Sequence, residues 1–467
     1  RRIRFAIPTT LIYTLAFIFP ICPEQYTDSD TIARSDRATL FLKAAAHRRR
    51  GGDMEDKNQA SRQVAMISLI TAACLIGDSM LYIVLPVHFA AAGLDSLWEV
   101  GIILSANRLV RLPLNPAVGW LYQRISDRTG IFIATVLATV TTLGYAVADS
   151  FAIWLVLRCL WGASWTLLRL GGFYCILNVS SESNRGYFMG LYNGLYRIGS
   201  LVGMLMGGIL ADLLGFSLTA CIFGACTGLT IVLGLIFVPR GAVGAPPAAP
   251  REETLFGLWK DGAVLWVMAT GLVVALIYQG LYAATLSQLI RIHLGGNVML
   301  FGVAIGAATL GGVLQAARWG WEPWLAPWFG ALSDRRFGRR AVMVASLMAG
   351  VAAFGLVCLS LPVPLWIAVL LVIQLVGTSL TTVSDAVASD AASARGGRTF
   401  MMWYSFAVDL GAALGPIIAY LLNDLWNMDA AYIWTVGILL VFTAKWYWSA
   451  PVVTSASGQN CSSSDLH

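Results

Sequence analysis

Residues 154–169 read WLVLRCLWGASWTLLR, an apolar run with an arginine, Arg158, set inside it. A guanidinium in apolar surroundings is costly, and it persists only where it is paired, wetted or functional. The composition shows what those surroundings are. Of 467 residues 58% are hydrophobic and 12% charged, with a mean hydropathy of +0.72. A soluble domain is about half apolar and about a quarter charged, so lipid solvates most of this chain. The net charge of +6 is not gathered on any soluble face, so no nucleic-acid partner is expected.

Working outward from Arg158, twelve apolar segments of bilayer-crossing length follow one another. They lie near 64–89, 98–121, 131–148, 151–178, 186–211, 216–238, 263–290, 298–328, 341–361, 365–388, 399–422 and 430–449. The expected fold is an all-α membrane protein of twelve transmembrane helices in two six-helix bundles, 54–238 and 263–449. A Pro- and Ala-rich cytoplasmic linker, 239–262, joins them and a cytoplasmic tail, 450–467, follows. The first methionine is Met54. The stretch before it would leave Arg34, Arg37, Lys43 and HRRR (47–50) outside if Phe5 to Cys22 spanned, so 1–53 is expected to be an extension without function.

Loop charge sets the expected orientation. With the start inside, the inner loops carry Arg124, Arg128, Arg185, Arg240, Arg251, Lys260, Arg335, Arg336, Arg339, Arg340, Arg395 and Arg398, while the outer loops carry Arg291 alone. Both termini are therefore expected in the cytoplasm, the membrane being the plasma membrane. Cys74, Cys159, Cys175, Cys221, Cys226 and Cys358 fall in apolar runs, and no Cys or His spacing suggests a metal site. There is no phosphate-binding Gly-x4-Gly-Lys loop and no nucleophile–base constellation, so neither an enzyme nor a cofactor is expected.

The two halves repeat. Gly119 and Gly330 are 211 residues apart, and Gly199 and Gly203 recur 212 later as Gly411 and Gly415. A six-plus-six parallel repeat is a transporter architecture, with the substrate near mid-membrane between the halves.

Several of these residues resemble the motifs of the major facilitator superfamily. GALSDRRFGRR (330–340) is similar to its signature loop, G-x-x-x-D-R-x-G-R-R, with one extra residue before Gly338. GWLYQRISDRTG (119–130) is a degenerate first-half copy, with Gln123 where the acid belongs and Asp127-Arg128-x-Gly130 four positions late. Arg158 and Gly162 match the fourth-span motif, with Trp161 in place of Gln. Gly190, Gly199, Gly203, Gly207 and Gly208 match the fifth-span motif of proton-driven exporters, with Met204 in place of Pro. The resemblance covers 64–449. It implies a monomeric secondary transporter of a small organic solute, working by alternating access and proton-coupled efflux. It also implies gating by Gly119, Asp127, Arg128, Gly330, Asp334, Arg335, Gly338 and Arg339.

Arg158 lies eight residues into its span, roughly 12 Å deep, and Asp78 is at comparable depth in span one. The pair reads either as a proton switch, opened when substrate or rocking separates the charges, or as a fixed structural ion pair. Tyr82, Asn107, Arg108, Arg111, Trp161, Trp165, Arg197, Tyr278, Gln279, Tyr282, Gln288, Trp403 and Asp409 are the candidate substrate-binding residues, although for each aromatic taken singly packing or an interfacial belt is the stronger reading. Arg169 is expected only to snorkel at the end of its span. The intramembrane arginines raise a second reading, uptake or exchange of an organic carboxylate or phosphate ester. Shifting by 212 places Arg197 on Asp409, and shifting by 211 places Arg111 on Glu322. By pseudo-symmetry Arg197 is then expected to meet Glu322, and Arg108 or Arg111 to meet Asp409; otherwise Glu322 merely faces cytoplasmic water.

Overall fold

The computed structural model describes residues 37–180, 185–238, 262–295, 297–300, 303–394 and 397–448. The tail, the linker up to residue 261 and residues 1–36 lie outside that set. The chain forms two compact units, 1–58 and 59–467, and the second holds everything below.

Its helices follow the expected spans. They are α1 (Arg37–His88, its apolar part Gln59–His88), α2 (Leu97–Tyr122), α3 (Asp127–Gly144), α4 (Phe151–Val179), α5 (Arg185–Leu214), α6 (Phe216–Phe237), α7 (Gly262–Leu294), α8 (Ala307–Arg335), α9 (Arg339–Val357), α10 (Val363–Ala394), α11 (Gly397–Leu425) and α12 (Met428–Trp448). Nine of the described helices are long and apolar enough to cross a membrane. The remaining long ones, α2, α3 and α8, carry ionised residues within them, among them Arg108, Arg111, Arg318 and Glu322. A helix keeps such residues in a bilayer only by turning them toward protein or water.

One expectation fails in part. The eighth span was expected from 298, yet Asn297–Leu300 (β1) and Val303–Gly306 (β2) pair antiparallel, from Asn297↔Gly306 to Leu300↔Val303. The run is apolar but β-branched at Val298, Val303 and Ile305, and it is short enough to make a hairpin. The helix starts at Ala307 and at 29 residues still has length to span.

The halves are related by the repeat in their contacts as well as their order. A Cβ on Gly199 of α5 would strike the Ala72 carbonyl of α1, and one on Gly411 of α11 would strike the Leu272 carbonyl of α7. Trp154 of α4 donates its indole N–H to Ala92 O at 2.9 Å, and Trp366 of α10 donates to Val357 O at 3.0 Å. Trp366 follows Trp154 by 212 residues, whereas Leu272 follows Ala72 by 200.

Between the halves, α5 packs along α8 and α2 along α11. Two contacts close one end, here called the far end because the Arg-bearing loops 123–126 and 336–338 lie at the other. The N-cap of α8 is Gly306, which has no side chain to satisfy the first helical N–H groups. Asp212, at the end of α5, does so from the other half: its carboxylate accepts from Thr309 N at 2.7 Å and Thr309 Oγ1 at 2.6 Å. His88 Nε2 stands 3.4 Å from the same carboxylate. Likewise Ser96, the N-cap of α2, makes no side-chain cap, and Asp424 at the end of α11 accepts from Trp98 N at 3.3 Å. Asp424 is Asp212 shifted by 212, and Thr309 is Trp98 shifted by 211. Each half thus caps a helix of the other. Toward the basic end Trp120, Tyr187, Trp324 and Met402 of the same four helices are exposed.

A carboxylate on a helix N-terminus contributes about 1 kcal/mol, and more where it also accepts a hydroxyl. Replacing Asp212 and Asp424 together by alanine should shift the far end toward an open state by about tenfold or more. Spin labels at the exposed Leu213 and Leu425 would read this as a growing long-distance population; an unchanged distribution would show that the two caps do not hold the end shut.

Candidate functional site

Arg158 is fully buried. Its Nη1 contacts Asp78 Oδ1 of α1, and its Nε donates to Ile103 O of α2 at 3.0 Å. Asn107 Nδ2 donates to the same Asp78 oxygen at 3.2 Å. Tyr145, stacked on Trp154 at 5.1 Å between ring centroids, stands beside the guanidinium. The glycine one turn on, Gly162, lets α4 approach: a Cβ there would sit 2.7 Å from Asn107 O. The fourth-span arginine and glycine are thus one device, the first carrying the charge and the second the close packing that brings α2 to it.

The other ionised groups meet between the halves. Arg197 Nη1 of α5 lies 3.0 Å from Glu322 Oε1 of α8, the side chains 46% and 19% exposed; the residues meet as the repeat arithmetic expects. Arg197 also lies over the Trp319 ring at 5.5 Å. Arg108 donates through Nε to Tyr82 Oη at 3.3 Å, and Tyr82 Oη donates in turn to Leu104 O at 3.4 Å. Asp409 acts on Arg108 and Arg111 through its charge, but among the described residues neither arginine forms a direct ion pair with it. Arg169 lies over the Phe173 ring at 5.7 Å.

Three of the candidate aromatics pack within one half, as the alternative reading for a single aromatic has it. Trp161 is buried in the packing of the first half. Tyr278 and Tyr282 both set their rings against Phe354, and Tyr282 Oη donates to Leu370 O at 3.0 Å. Their rings fill seams within one half, because a large aromatic gains more from packing than from a wet wall. Gln288 is buried as well, with Oε1 unpartnered. Gln279 and Trp403 are half-buried, and Trp165 meets Tyr196 edge-on at 5.7 Å.

At the basic end, Gly119 and Gly330 lie near the ends of α2 and α8. Gly338 takes φ 80 just before α9. Arg339 joins Asp334 at 2.6 Å, Asp390 of α10, and Ser333 Oγ at 3.1 Å, so this loop ties α8, α9 and α10 of one half. The side chain of Arg335 is outside the described set. Asp127 accepts from Asn178 Nδ2 at 2.8 Å. Arg128 donates to Leu235 O of α6, as Arg340, 212 residues later, donates to the carbonyls of Trp446 and Tyr447 of α12. This corrects the frame of the degenerate copy: Asp127 and Arg128 open α3 where Arg339 and Arg340 open α9, and they are not a displaced Asp334-Arg335.

Sequence reasoning passed over Asp212, Asp390, Asp424 and Arg318. The last is a buried arginine of α8 whose repeat mate is Asn107, so the 211-residue shift was the signal that could have found it. Among the described residues no group of His, Cys, Asp and Glu could hold a metal.

The sequence model of the Major Facilitator Superfamily matches residues 67–322 and 324–462. The chain belongs to the major facilitator superfamily. Members of this superfamily are integral membrane transporters and not enzymes. Among curated relatives, the human synaptic vesicular amine transporter is 27% identical over 168 residues, 36% of this chain and 32% of that protein. A probable vesicular acetylcholine transporter-B of Danio rerio is 24% identical over 251 residues, half of each chain. The chain thus spans about a third to a half of the length of the curated relatives it matches. In fold it resembles a bacterial homologue of the human lysosomal transporter Spinster, inward-facing and unoccupied, with TM-score 0.66, 13% identity and 83% and 96% of the two chains covered. It also resembles the nucleoside transporter NupG, with TM-score 0.64, 14% identity and 83% and 99% covered.

Breaking a buried ion pair by removing one partner costs about 3–5 kcal/mol, whereas an apolar replacement of both is often neutral. Asp78→Leu and Arg158→Leu should each lower the melting temperature of the purified superfamily member sharply, and the double variant should recover most of the loss. A double variant as unstable as the sum of the singles would mean that the two charges are not coupled.

Proposed function

We propose that the chain is a proton-coupled secondary transporter that moves a small organic solute outward across the plasma membrane by alternating access, with Asp78 as the proton-carrying group. One observation carries the reading: a buried carboxylate within span one, held by Arg158 and Asn107. While paired, the acid is kept charged by the guanidinium; in a rocked state that parts them, a carboxylate in apolar surroundings is favoured in its neutral form. Proton uptake is thereby tied to the motion of α1 and α2 against α4. The positive-inside rule sets the basic loops, and with them both termini, in the cytoplasm. On this orientation the crossed caps made by Asp212 and Asp424 lie at the outer end. The relatives' names add an amine as one class of solute to test. We take the transporter to act as a monomer, with no cofactor and no nucleic-acid partner.

A second reading, exchange of an organic anion, has its own support. Arg108, Arg111 and Arg197 stand in the interhalf space against Asp409 and Glu322, an excess of positive charge that an anionic solute would answer.

In proteoliposomes with an imposed pH step, wild-type flux should follow the gradient. Asp78→Asn keeps an oxygen that accepts from Arg158 and Asn107, so it should still fold and bind solute while losing gradient-driven flux by about a hundredfold. Flux that still follows the gradient in that variant would remove Asp78 from the coupling.

A further inference from the structure

The repeat holds a mismatch that the coupling scheme does not use. In the first half Asp78, Asn107 and Arg158 form a closed set in which one acid answers one base. The contacts of Gly199 and Gly411 relate α1 to α7 by 200 residues, which puts Tyr278 at the place of Asp78. The Trp154–Trp366 pair relates α4 to α10 by 212, which puts Leu370 at the place of Arg158. On α8, the 211-residue shift puts Arg318 at the place of Asn107. The second half has therefore lost both the acid and the base of this set and gained a base at the third position.

Arg318 is 6% exposed. Its one hydrogen bond among the described residues is a long one, from Nη1 to Tyr278 O at 3.4 Å, and its Nε has no partner. It forms no ion pair there. Glu322, one turn toward the basic end, is engaged by Arg197. One turn the other way, Gln315 is 1% exposed with Nε2 unpartnered. Trp319 lies beneath both cations, with its ring centroid 5.9 Å from Arg318 and 5.5 Å from Arg197. A buried cation that forms no ion pair among the described residues, next to an unpartnered amide N–H donor and one turn from an acid whose one oxygen is joined to Arg197, is under-compensated, and an anion would complete it.

We infer that Arg318, with Gln315 beside it, is the subsite of α8 that takes the oxyanion of the transported solute, a carboxylate or a phosphate ester. The inference rests on the anion reading above. The guanidinium supplies a planar fork that receives two oxygens at once, and the amide of Gln315 supplies a further N–H. Glu322 and Arg197 stand on the open side of the subsite, and their pair parts or reforms as the solute passes.

The experiment uses the full chain in lipid nanodiscs, with melting temperature read against benzoate, succinate and inorganic phosphate as oxyanion probes and tetraethylammonium as the cation control. The wild type should be stabilised by at least one oxyanion and not by the control. Arg318→Gln should raise the half-saturating concentration of that oxyanion at least tenfold. Because the cation makes no direct ion pair among the described residues, the unliganded variant should melt no lower than the wild type. A variant that melts lower or fails to fold means that the protein itself satisfies Arg318, and the inference falls. It falls equally if the variant binds the oxyanion as the wild type does, with the anion reading left standing. If no oxyanion stabilises the wild type, the anion reading falls with it, while gradient-driven flux continues to judge Asp78 separately.

Discussion

A charge in a bilayer has no water to fall back on, and the contact between Asp78 and Arg158 is where this chain meets that constraint most severely. The guanidinium is wholly buried, and α1 and α2 answer two of its nitrogens, Nη1 with a carboxylate and Nε with the Ile103 carbonyl. That demand fixes how close the three helices stand. Gly162 exists to permit the approach, and Asn107, drawn to the same carboxylate oxygen, locks α2 to it. The pair is a weak source of stability, since desolvation offsets most of its attraction. It is a strong source of specificity, because each partner left alone would be intolerable there.

The same logic, applied to backbone groups, closes the far end. Helix N-termini are short of acceptors, and α2 and α8 begin with caps that make no side-chain hydrogen bond. Their missing acceptors come from Asp424 and Asp212 on the opposite half. Two halves that each leave a helix uncapped have a reason to meet, and the repeat supplies both contacts in one stroke. Such contacts are also cheap to break once water reaches them, since a freed N–H and a freed carboxylate both hydrate readily. A gate needs that balance more than it needs strength.

Much of this was legible before the fold. Hydropathy locates the spans to within a few residues because a bilayer imposes both length and composition. The Arg197–Glu322 contact was legible because a duplicated chain converts a sequence offset into a spatial one, so complementary charges at repeat-related positions point at each other. What was not legible shares a cause. The hairpin at 297–306 hides because short apolar runs do not declare their period. Trp161, Tyr278 and Tyr282 were candidates for a cavity wall, but composition cannot distinguish an aromatic facing a seam from one facing a cleft. Asp127 and Arg128 were matched to the wrong partners because the motif's spacing was followed rather than the helix start that positions them. The offset reaches Arg318, but its mate is the neutral Asn107, so no complementary charge marks the position.

The asymmetry between the halves is what a duplicated transporter can exploit. A neutralised pair in the first half carries no net charge through the membrane interior, so it can change protonation without holding a solute. An excess of cations toward α8 has the opposite property: it is unfavourable when empty and relieved when filled, which ties occupancy to the energy of the empty state. Both halves keep the same glycine seams and the same crossed caps, so they rock as matched bodies. The positions that differ, Asp78 against Tyr278 and Asn107 against Arg318, lie on the helices those seams and caps hold in register. Duplication thus kept the seams and caps and released one set of polar positions in each half to diverge: on the proposed reading, one became a group that trades a proton and the other a group that receives an anion.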